Sequence, residues 1–382
     1  MICVCFFPDS IFRGGIMNRS RSFGITVLFM ASFILFLHAG VASEAVRNTL
    51  DLCARVLIPA LFPYLVISSL IVRTGGAELL GNPVSTLTRK LFHLPSCAGG
   101  AIILGILCGF PLGAQTACEL YRQGSLTKKQ AERLIPIANC AGSAFTVEFI
   151  GAFLWNSRTF GLVLYILQLM ISWILGIVLS RFSTESSPCL TKDEKMEATH
   201  KPLSFGICVC DAVASSALSM LKICGFAAFF SMIAALMQHI FDAVRLPDLG
   251  KFTAALLELT AGSRSAAGTD GMLGIFLAGF SLGWAGLSVL FQSMQFTYPE
   301  GLSMRTAVCC QGIRGILCGT GAVLLFPLCK GNATVSCMGQ VCGTVPSHAL
   351  YAEILLLVLF CLFPLPRSLR MQKSAENTHS LH

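Results

Sequence analysis

The sequence predicts an all-α, multi-pass membrane protein that consists of two inverted repeats, each with a re-entrant broken helical hairpin. The chain has 382 residues, of which 54% are hydrophobic and 12% charged, whereas a soluble domain carries about 25% charged residues. Several apolar runs approach the roughly 20 residues that cross a bilayer as a helix. Two of these runs are interrupted by similar glycine-rich segments, Gly109-Phe110-Pro111-Leu112-Gly113 and Gly279-Phe280-Ser281-Leu282-Gly283.

Glycines beside proline or serine weaken a helix. Inside a membrane, a broken helix is tolerated only where it is buried in protein or lines a polar cavity. Two matching breaks, one in each half of a chain, therefore point to a transporter binding site near the middle of the membrane. We expect residues 97–121 and 272–296 to enter the membrane, turn at the break and leave on the same side. Basic residues on both sides of the first segment, such as Arg89 and Lys128, agree with a hairpin.

The composition argues against several other classes of function. The net charge of +8 is not gathered in a basic patch with interleaved aromatics, so no nucleic-acid partner is expected. The 18 cysteines lack zinc-ligand spacing and the seven histidines are isolated, which predicts neither a metal site nor a cofactor. No recognisable catalytic motif is found, so we do not expect an enzyme. Cys329, Cys337 and Cys342 share one loop and would pair only in an oxidising space.

The N-terminal part is predicted to contain a tail and one extra helix. Residues 1–22 form the tail, in which Met17 is a more natural start than Met1. Residues 23–41 are a clean apolar span that we expect to remain as a transmembrane helix. The alternative is a signal peptide, cleaved at the small-residue site Val41-Ala42-Ser43.

Two repeats follow, separated by a charged loop at residues 181–203. The first repeat, with its extra N-terminal helix, covers residues 23–180. Its elements are an amphipathic interfacial helix (44–55), a span (56–72), the hairpin (97–121) and two more spans (131–154 and 159–180). The second repeat covers residues 204–366, with corresponding elements and a Gly/Ser-rich polar stretch before the break (211–221, 222–240, 252–271, 272–296, 305–328 and 349–365). Residues 367–382 form a basic tail.

The two halves align at a nearly constant offset. Glu44 corresponds to Asp211, 167 residues later, and the two glycine-rich breaks are 170 residues apart. Because each unit contains three full crossings, an odd number, the two units are predicted to be inserted in opposite orientations. Chance alignment of apolar, glycine-rich segments is the alternative.

Several stretches together resemble the YlbJ-type sporulation integral membrane proteins. They are Ile58-Pro59-Ala60-Leu61-Phe62-Pro63-Tyr64, Gly109-Phe110-Pro111-Leu112-Gly113-Ala114, Ala131-Glu132-Arg133-Leu134 with Asn139, Leu256-Leu257-Glu258-Leu259-Thr260, and Gly279-Phe280 followed by Gly286-Leu287-Ser288-Val289. The resemblance covers about residues 20–365. It implies nucleoside-recognition (gate) domains, distantly similar to concentrative nucleoside transporters. It also implies a role in endospore formation, in a cell or forespore membrane, with movement of dipicolinate across that membrane. A nucleoside is the alternative substrate.

The expected substrate site combines the breaks with polar side chains inside the spans. A small anion in mid-membrane needs backbone N–H groups at the N-termini of half-helices and few competing charges. The candidates are Gly109, Gly113, Gly279 and Gly283 at the breaks, Gln115 and Ser288 on the return arms, Asn139, Ser143 and Gln311 inside spans, and the ionisable Glu258, Arg264 and Arg314. Close helix packing is the alternative for the glycines, and hydrogen bonding between helices is the alternative for Asn139 and Ser143.

Arg264 and Arg314 are predicted to be buried cations, and two arginines suit the two carboxylates of a dicarboxylate better than a nucleoside. The alternative is an ion pair with Glu258 or snorkelling to the interface. Glu258 is a candidate for a coupling proton because burial raises the pKa of a carboxyl group, and helix capping is its alternative. Trp284 and Phe110 are able to stack on an aromatic substrate, although packing is the commoner role of such side chains.

Two classes of function stay open. The first is a secondary transporter or facilitated channel for a small anionic solute. The second is a non-transporting membrane scaffold that assembles a sporulation complex, with other sporulation membrane proteins or further copies of the chain as partners. Glu119 and Glu132 lie among loop cations and are predicted to be solvated, outside any site.

Overall fold

The computed structural model describes residues 17–74, 76–182 and 205–329. Within these ranges all regular secondary structure is helical, which confirms the all-α prediction. Most of the charged loop at 181–203, the predicted last span at 349–365, the basic tail, Cys337 and Cys342 lie outside the described residues.

The first half of the described chain is a series of helices joined by short breaks. They are α1 (Met17–Leu37), α2 (Ala39–Leu52), α3 (Ile58–Arg73), α4 (Gly76–Gly81), α5 (Ser85–Phe92), α6 (Ser96–Cys108), α7 (Leu112–Arg122), α8 (Lys128–Ala138) and α9 (Arg158–Arg181). Two π-helical segments, Cys53–Leu57 and Ala144–Leu154, join α2 to α3 and lie between α8 and α9.

The second half has fewer and longer helices. They are α10 (Phe205–Ala243), α11 (Pro247–Leu257), α12 (Leu259–Ala267), α13 (Gly271–Trp284), α14 (Gly286–Thr297) and α15 (Arg305–Leu325). The predicted polar stretch at 252–271 is thus mostly helical and broken at Glu258.

Local sequence signals explain several helix ends. Thr127 and Gln130 form a capping box at the start of α8, in which each side chain binds the backbone N–H of the other residue. The Ser157 hydroxyl accepts the Phe160 N–H at the start of α9. Pro247 occupies the first turn of α11, where its missing N–H costs nothing.

Four segments of the described chain are long and apolar enough to cross a membrane: Arg158–Arg181, Phe205–Ala243, Gly271–Thr297 and Arg305–Cys329. Two sharply bent helix pairs raise that number to six if each pair is one span: Leu28–Leu37 with Ala39–Leu57, and Asn82–Phe92 with Ser96–Cys108. These lengths agree with the predicted multi-pass protein.

The stretch at 211–221, predicted as an amphipathic helix of its own, belongs to a longer rod, so that prediction is wrong. Residues 211–221 lie inside α10, which runs for 39 residues because no proline interrupts it. Residues 44–55 belong to α2 and the π-helical turn after it.

The rod from α2 to α3 runs antiparallel to α10. Arg73 at its end lies 3.8 Å from Asp211, and the rings of His38 and His239 are 5.0 Å apart at the other end.

The helices run between two ends of the bundle that differ in charge. At one end, Ser180 Oγ donates to the Leu91 carbonyl (2.9 Å) and Arg122 pairs with Glu300 (2.6 Å). Cations outnumber acids at this end, which includes Arg73, Arg89, Lys90, Arg122, Lys128, Lys129, Arg133, Arg181 and Arg305, with Glu119, Glu132, Asp211 and Glu300. We call it the basic end, and the positive-inside rule predicts that it faces the cytoplasm.

The opposite, mixed end has balanced charge among the described residues. Its cations and acids are Arg158, Arg245, Lys251 and Arg264, with Glu148, Asp242, Asp248 and Asp270. Arg158 binds Glu148 there (3.2 Å), and the Trp155 and Phe326 rings meet 6.3 Å apart.

The first predicted hairpin is present. α6 and α7 pack against each other, and the chain between them turns at Gly109–Pro111. Both arms reach the basic end, where Cys97 Sγ lies 3.7 Å from the Ser125 carbonyl oxygen. The break therefore lies where the two glycines and the proline predict it.

The second break is not at Gly279–Gly283, because α13 continues through both glycines to Trp284. The helix ends instead at Ala285, which is left-handed at φ 66°, and Gly286 follows at φ 81°. α13 and α14 together form one apolar segment long enough to cross the membrane, rather than a hairpin. The folded-back pair in this half is α11 and α12, which pack against each other around Glu258.

The same order of elements occurs in both halves: a folded-back pair, a broken helix and a long helix. In the first half, the folded-back pair is α6–α7, the broken helix is α8 with Ala144–Leu154, and the long helix is α9. In the second half, the corresponding elements are α11–α12, α13–α14 and α15. The first pair reaches the basic end and the second the mixed end. Corresponding breaks are 149 residues apart (Gly109 to Glu258) and 145 apart (Cys140 to Ala285), so the predicted offset of 170 residues does not describe this order.

Close backbone packing at the first hairpin generates a stability prediction. A Cβ on Gly105 would lie 1.9 Å from the Ala138 carbonyl oxygen, whereas a Cβ on Gly225 of α10 would meet open space. Gly105→Ala is therefore expected to lower the free energy of unfolding by about 1–3 kcal/mol through overpacking.

The measurement is thermal unfolding of the purified protein in detergent, with Gly225→Ala as the matched control. The control is expected to leave the midpoint unchanged or raise it slightly, because alanine is the better helix former. Equal midpoints for the two variants would contradict this account of the α6–α8 contact.

Candidate functional site at the meeting point of the helix breaks

Four helix breaks meet in pairs inside the bundle. In the first half, a Cβ on Gly109 would lie 2.4 Å from the Gly142 nitrogen, so the hairpin turn touches the break that follows α8. In the second half, a Cβ on Gly286 would lie 2.9 Å from the Glu258 Cα, so the break after α13 touches the turn between α11 and α12. Each folded-back pair thus places its turn against the broken helix of its own half.

Each break frees backbone groups that a continuous helix would use. Gln168 of α9 satisfies two of them in the first half. Its Nε2 donates to the Ala141 carbonyl (2.9 Å), and its Oε1 accepts the Ala141 N–H (3.3 Å). This fully buried amide therefore replaces the missing helical partners of Ala141.

Arg314 links the two broken helices. Its Nε donates to the Gly283 carbonyl (2.8 Å) and its Nη1 to the Asn139 carbonyl (3.2 Å). Nη1 also lies 3.1 Å from Ser172 Oγ. Gly283 lies in the last turn of α13 and Asn139 caps α8. The guanidinium group therefore binds the C-terminal ends of two half-helices, where the helix dipoles favour a cation.

The Arg314 side chain is only 1% exposed, yet its hydrogen bonding is incomplete. Nη2 is buried and has no acceptor within the described part of the chain. The ion pairs found among the described residues do not include Arg314. A buried cation without a carboxylate partner is costly. The carbonyls offset part of that cost, and one donor is left over.

Asn139 joins the first break to the second half. Its Nδ2 donates to Ser293 Oγ of α14 (3.0 Å), while its Oδ1 is buried without a donor. Three other predicted or neighbouring side chains have a buried oxygen without a partner: Gln115, Ser281 and Gln311. Gln311 lies one turn before Arg314 on α15, and α15 packs against both α8 and α13.

The candidate glycines are close-packed against backbone. A Cβ on Gly113 would lie 2.2 Å from the Ala138 carbonyl oxygen, one on Gly279 would lie 2.4 Å from the Cys318 carbonyl oxygen, and one on Gly283 would lie 2.6 Å from the Arg314 carbonyl oxygen. These contacts agree with the helix-packing alternative. Their role is to let α13 and α15, and α7 and α8, approach closely enough for Arg314 and Asn139 to meet.

Arg264 is not a second buried cation, so the expectation of a two-arginine clamp is wrong in this geometry. The Arg264 side chain is exposed near the end of the short helix α12. Glu258, by contrast, is buried and caps the same helix: its carboxylate accepts the Ala261 N–H (2.6 Å) and the Ser231 hydroxyl (3.3 Å). The capping alternative thus describes its contacts.

The structure places the other candidates around the breaks in different ways. Ser288 is fully buried and accepts a hydrogen bond from Gln292 Nε2 (3.1 Å). Ser143 is half-buried directly before the π-helical segment. Trp284 is buried, and its indole donates to the Leu256 carbonyl (2.9 Å), as expected of a packing role.

The breaks are tightly closed. A gap beside the first turn has no room for a water molecule, and it is lined by Leu61, Leu65, Cys108, Phe110, Pro111, Leu112 and Ile223.

Comparison with curated proteins finds the sporulation integral membrane protein YlbJ of Bacillus subtilis (strain 168), 24% identical in an alignment of 353 residues that covers 81% of this chain and 84% of that protein. The chain is therefore similar to this sporulation integral membrane protein over most of its length. The match extends over most of both chains, so it confirms the resemblance seen in the motifs and, with the long apolar helices, a multi-pass location in a membrane. No family model and no solved structure matches the chain.

Sequence reasoning missed three polar residues that hold the junction of the helix breaks together: Gln168, Ser172 and Ser293. Gln168 and Ser172 are four residues apart in an apolar span, so they share one helix face. Polar residues at this spacing inside a span are a usable signal for hydrogen bonding to a neighbouring helix. Ser293 follows Gln292 in α14 and carries no such local signal.

The two hydrogen bonds of Gln168 to the backbone of Ala141 predict a large stability effect. Gln168→Leu removes both and leaves the buried N–H and C=O of Ala141 unpaired, which is expected to cost about 2–4 kcal/mol of unfolding free energy. The midpoint of thermal unfolding in detergent should fall by several degrees.

Gln295→Leu is the matched control, because both polar atoms of the Gln295 amide are buried without a partner. That change is expected to be neutral or stabilising. If both glutamines tolerate leucine equally, Gln168 does not support the break as described.

Proposed function

We propose that this protein transports a small anionic solute across a membrane of a sporulating cell, and that dipicolinate is its substrate. The proposal includes two units inserted in opposite orientations, each with a folded-back pair and a broken helix. Three findings support it: the sporulation role in the printed name of the relative, the paired breaks, and the buried arginine between them.

The single observation that carries the proposal is the incomplete bonding of Arg314. Nη2 of this buried cation lacks an acceptor, and its positive charge has no carboxylate partner among the described residues. An anion that reaches this point would supply both a hydrogen-bond acceptor and the missing negative charge. The arginine would then act as the fixed charge that makes passage of an anion through the bundle favourable.

Asn139 offers a complementary group beside it. Its free oxygen is an acceptor, so a solute with a donor next to its carboxylate would satisfy both side chains. A ring dicarboxylate in its monoprotonated form, with one carboxylate and one carboxylic acid O–H, fits this pattern. A nucleoside base offers donors and acceptors but no negative charge, and therefore does not balance Arg314.

Access to the site requires an opening at each end in turn. At the basic end, two contacts close the loops between the halves: the Arg122–Glu300 ion pair (2.6 Å) and the hydrogen bond from the Ser303 N–H to Glu132 Oε1 (2.8 Å). Glu132 was predicted to be solvated and unconnected, but it joins the first half to the second. We propose that these contacts form the gate at this end.

A carboxylate introduced next to Arg314 by substitution tests whether the charge of this arginine is needed for transport. Gln311→Glu places a carboxylate one turn before Arg314, in place of an amide whose oxygen is unpaired. Residues three apart on a helix are neighbours, so the new carboxylate is expected to pair with the arginine without loss of stability. Uptake of labelled dipicolinate into vesicles that contain only this protein should fall at least tenfold.

Gln311→Met is the control, since it keeps the size of the side chain and adds no charge. It should retain most of the uptake. A parent protein that takes up uridine but not dipicolinate would favour the nucleoside alternative, and a parent that takes up neither would favour the scaffold. Equal uptake by the glutamate and methionine variants would remove Arg314 from the mechanism.

The gate generates a second prediction about transport. Arg122→Glu or Glu300→Arg places like charges face to face at the basic end, and either change is expected to alter the uptake rate severalfold. The double variant restores an opposite pair and should return the rate toward that of the parent, as a double-mutant cycle measures. The idea fails if the double variant is no closer to the parent than the single ones.

A further inference from the structure

An open groove lies between α9 and α15 close to the basic end. Its volume is about 350 Å³. Leu175, Val178 and Leu179 line one wall, and the first turns of α15 provide Arg305, Thr306 and Ile313 on the other. Both helices are long enough to cross a membrane, and Val178 and Ile313 are 44% and 48% exposed. Within the described part of the chain, the groove is therefore open on the outer face of the bundle, toward the surrounding lipid.

Its two parts have different chemistry. Aliphatic side chains and the two cysteines Cys309 and Cys310 line one part, whereas Arg305 and Thr306 line the part at the start of α15. Met304 offers no side-chain cap to that helix start, and Arg181 in the last turn of α9 adds a second cation at the same end. A ligand that fits must carry an apolar chain and, next to it, a negative group at the depth of the membrane surface.

We propose that this groove binds one anionic phospholipid, with an acyl chain between α9 and α15 and its phosphate beside Arg305 and Thr306. Basic pockets between transmembrane helices on the cytoplasmic side bind anionic lipid headgroups, and the charge of this end matches that side. The shape disfavours a partner helix, because a helix with its side chains is about 10 Å wide and needs a longer, broader seat. The proposal does not depend on what the protein transports.

Native mass spectrometry of the full-length protein tests the assignment. Phosphatidylglycerol or phosphatidylcholine with the same acyl chains is added to the detergent-purified protein. We expect one phosphatidylglycerol to bind in clear preference to phosphatidylcholine. Arg305→Gln should weaken its binding about fivefold, the effect of one basic residue near an anionic lipid surface, whereas Arg245→Gln at the mixed end should not change it.

Val178→Trp fills the groove and should weaken both lipids, which separates chain binding from headgroup binding. Equal binding of the two lipids by the parent protein would overturn the proposal without any variant. Equal effects of Arg305→Gln and Arg245→Gln would also overturn it. A dimer that Val178→Trp dissociates would assign the groove to a second copy of the chain instead.

Discussion

The structure depends on one constraint: a helix that stops inside a membrane must find partners for the backbone groups it exposes. The chain meets it at the ends of α8 and α13 with a single side chain. Arg314 donates to the carbonyls of Asn139 and Gly283, and so replaces the hydrogen bonds that continuing helices would have made. A lysine has no planar fork and could not bind both ends in this way.

The glycines and the arginine belong to one arrangement. Gly279 and Gly283 let α13 approach the backbone of α15 closely. Only that short distance between the two helices brings the Gly283 carbonyl of α13 within reach of Arg314 on α15. Gly105 and Gly113 do the same for the hairpin against α8. Close packing and polar chemistry are therefore not competing interpretations of these positions, because the packing sets the geometry in which the polar groups meet.

The sequence predicted the helical membrane fold and the first hairpin, because Gly109 and Pro111 each disfavour a helix and act at the same place. It misplaced the second break because glycine serves two purposes that look alike in a sequence. Gly279 and Gly283 are helical and needed for packing, whereas Gly286, at φ 81°, is needed for its backbone conformation. Glu258 was not predicted as a break, since glutamate is not among the preferred N-cap residues. Burial of Arg314 and exposure of Arg264 were indistinguishable, because both lie in stretches rich in glycine and small residues.

A cation held by carbonyl groups is stabilised by dipoles but not neutralised. Dipoles at the ends of α8 and α13 lower the cost of burying Arg314, yet the full positive charge stays at the junction of the two halves. If an acid were placed beside it, the pair would be more stable and the field at the junction would vanish. The described part of the chain instead puts neutral amides and hydroxyls there, from Asn139, Gln311 and Ser172. These groups carry no negative charge and therefore do not compete with an anion for the arginine. In the proposed transport, structural support and anion selectivity would thus have the same origin, because the residue that holds the broken helices together is the one that a passing anion would meet.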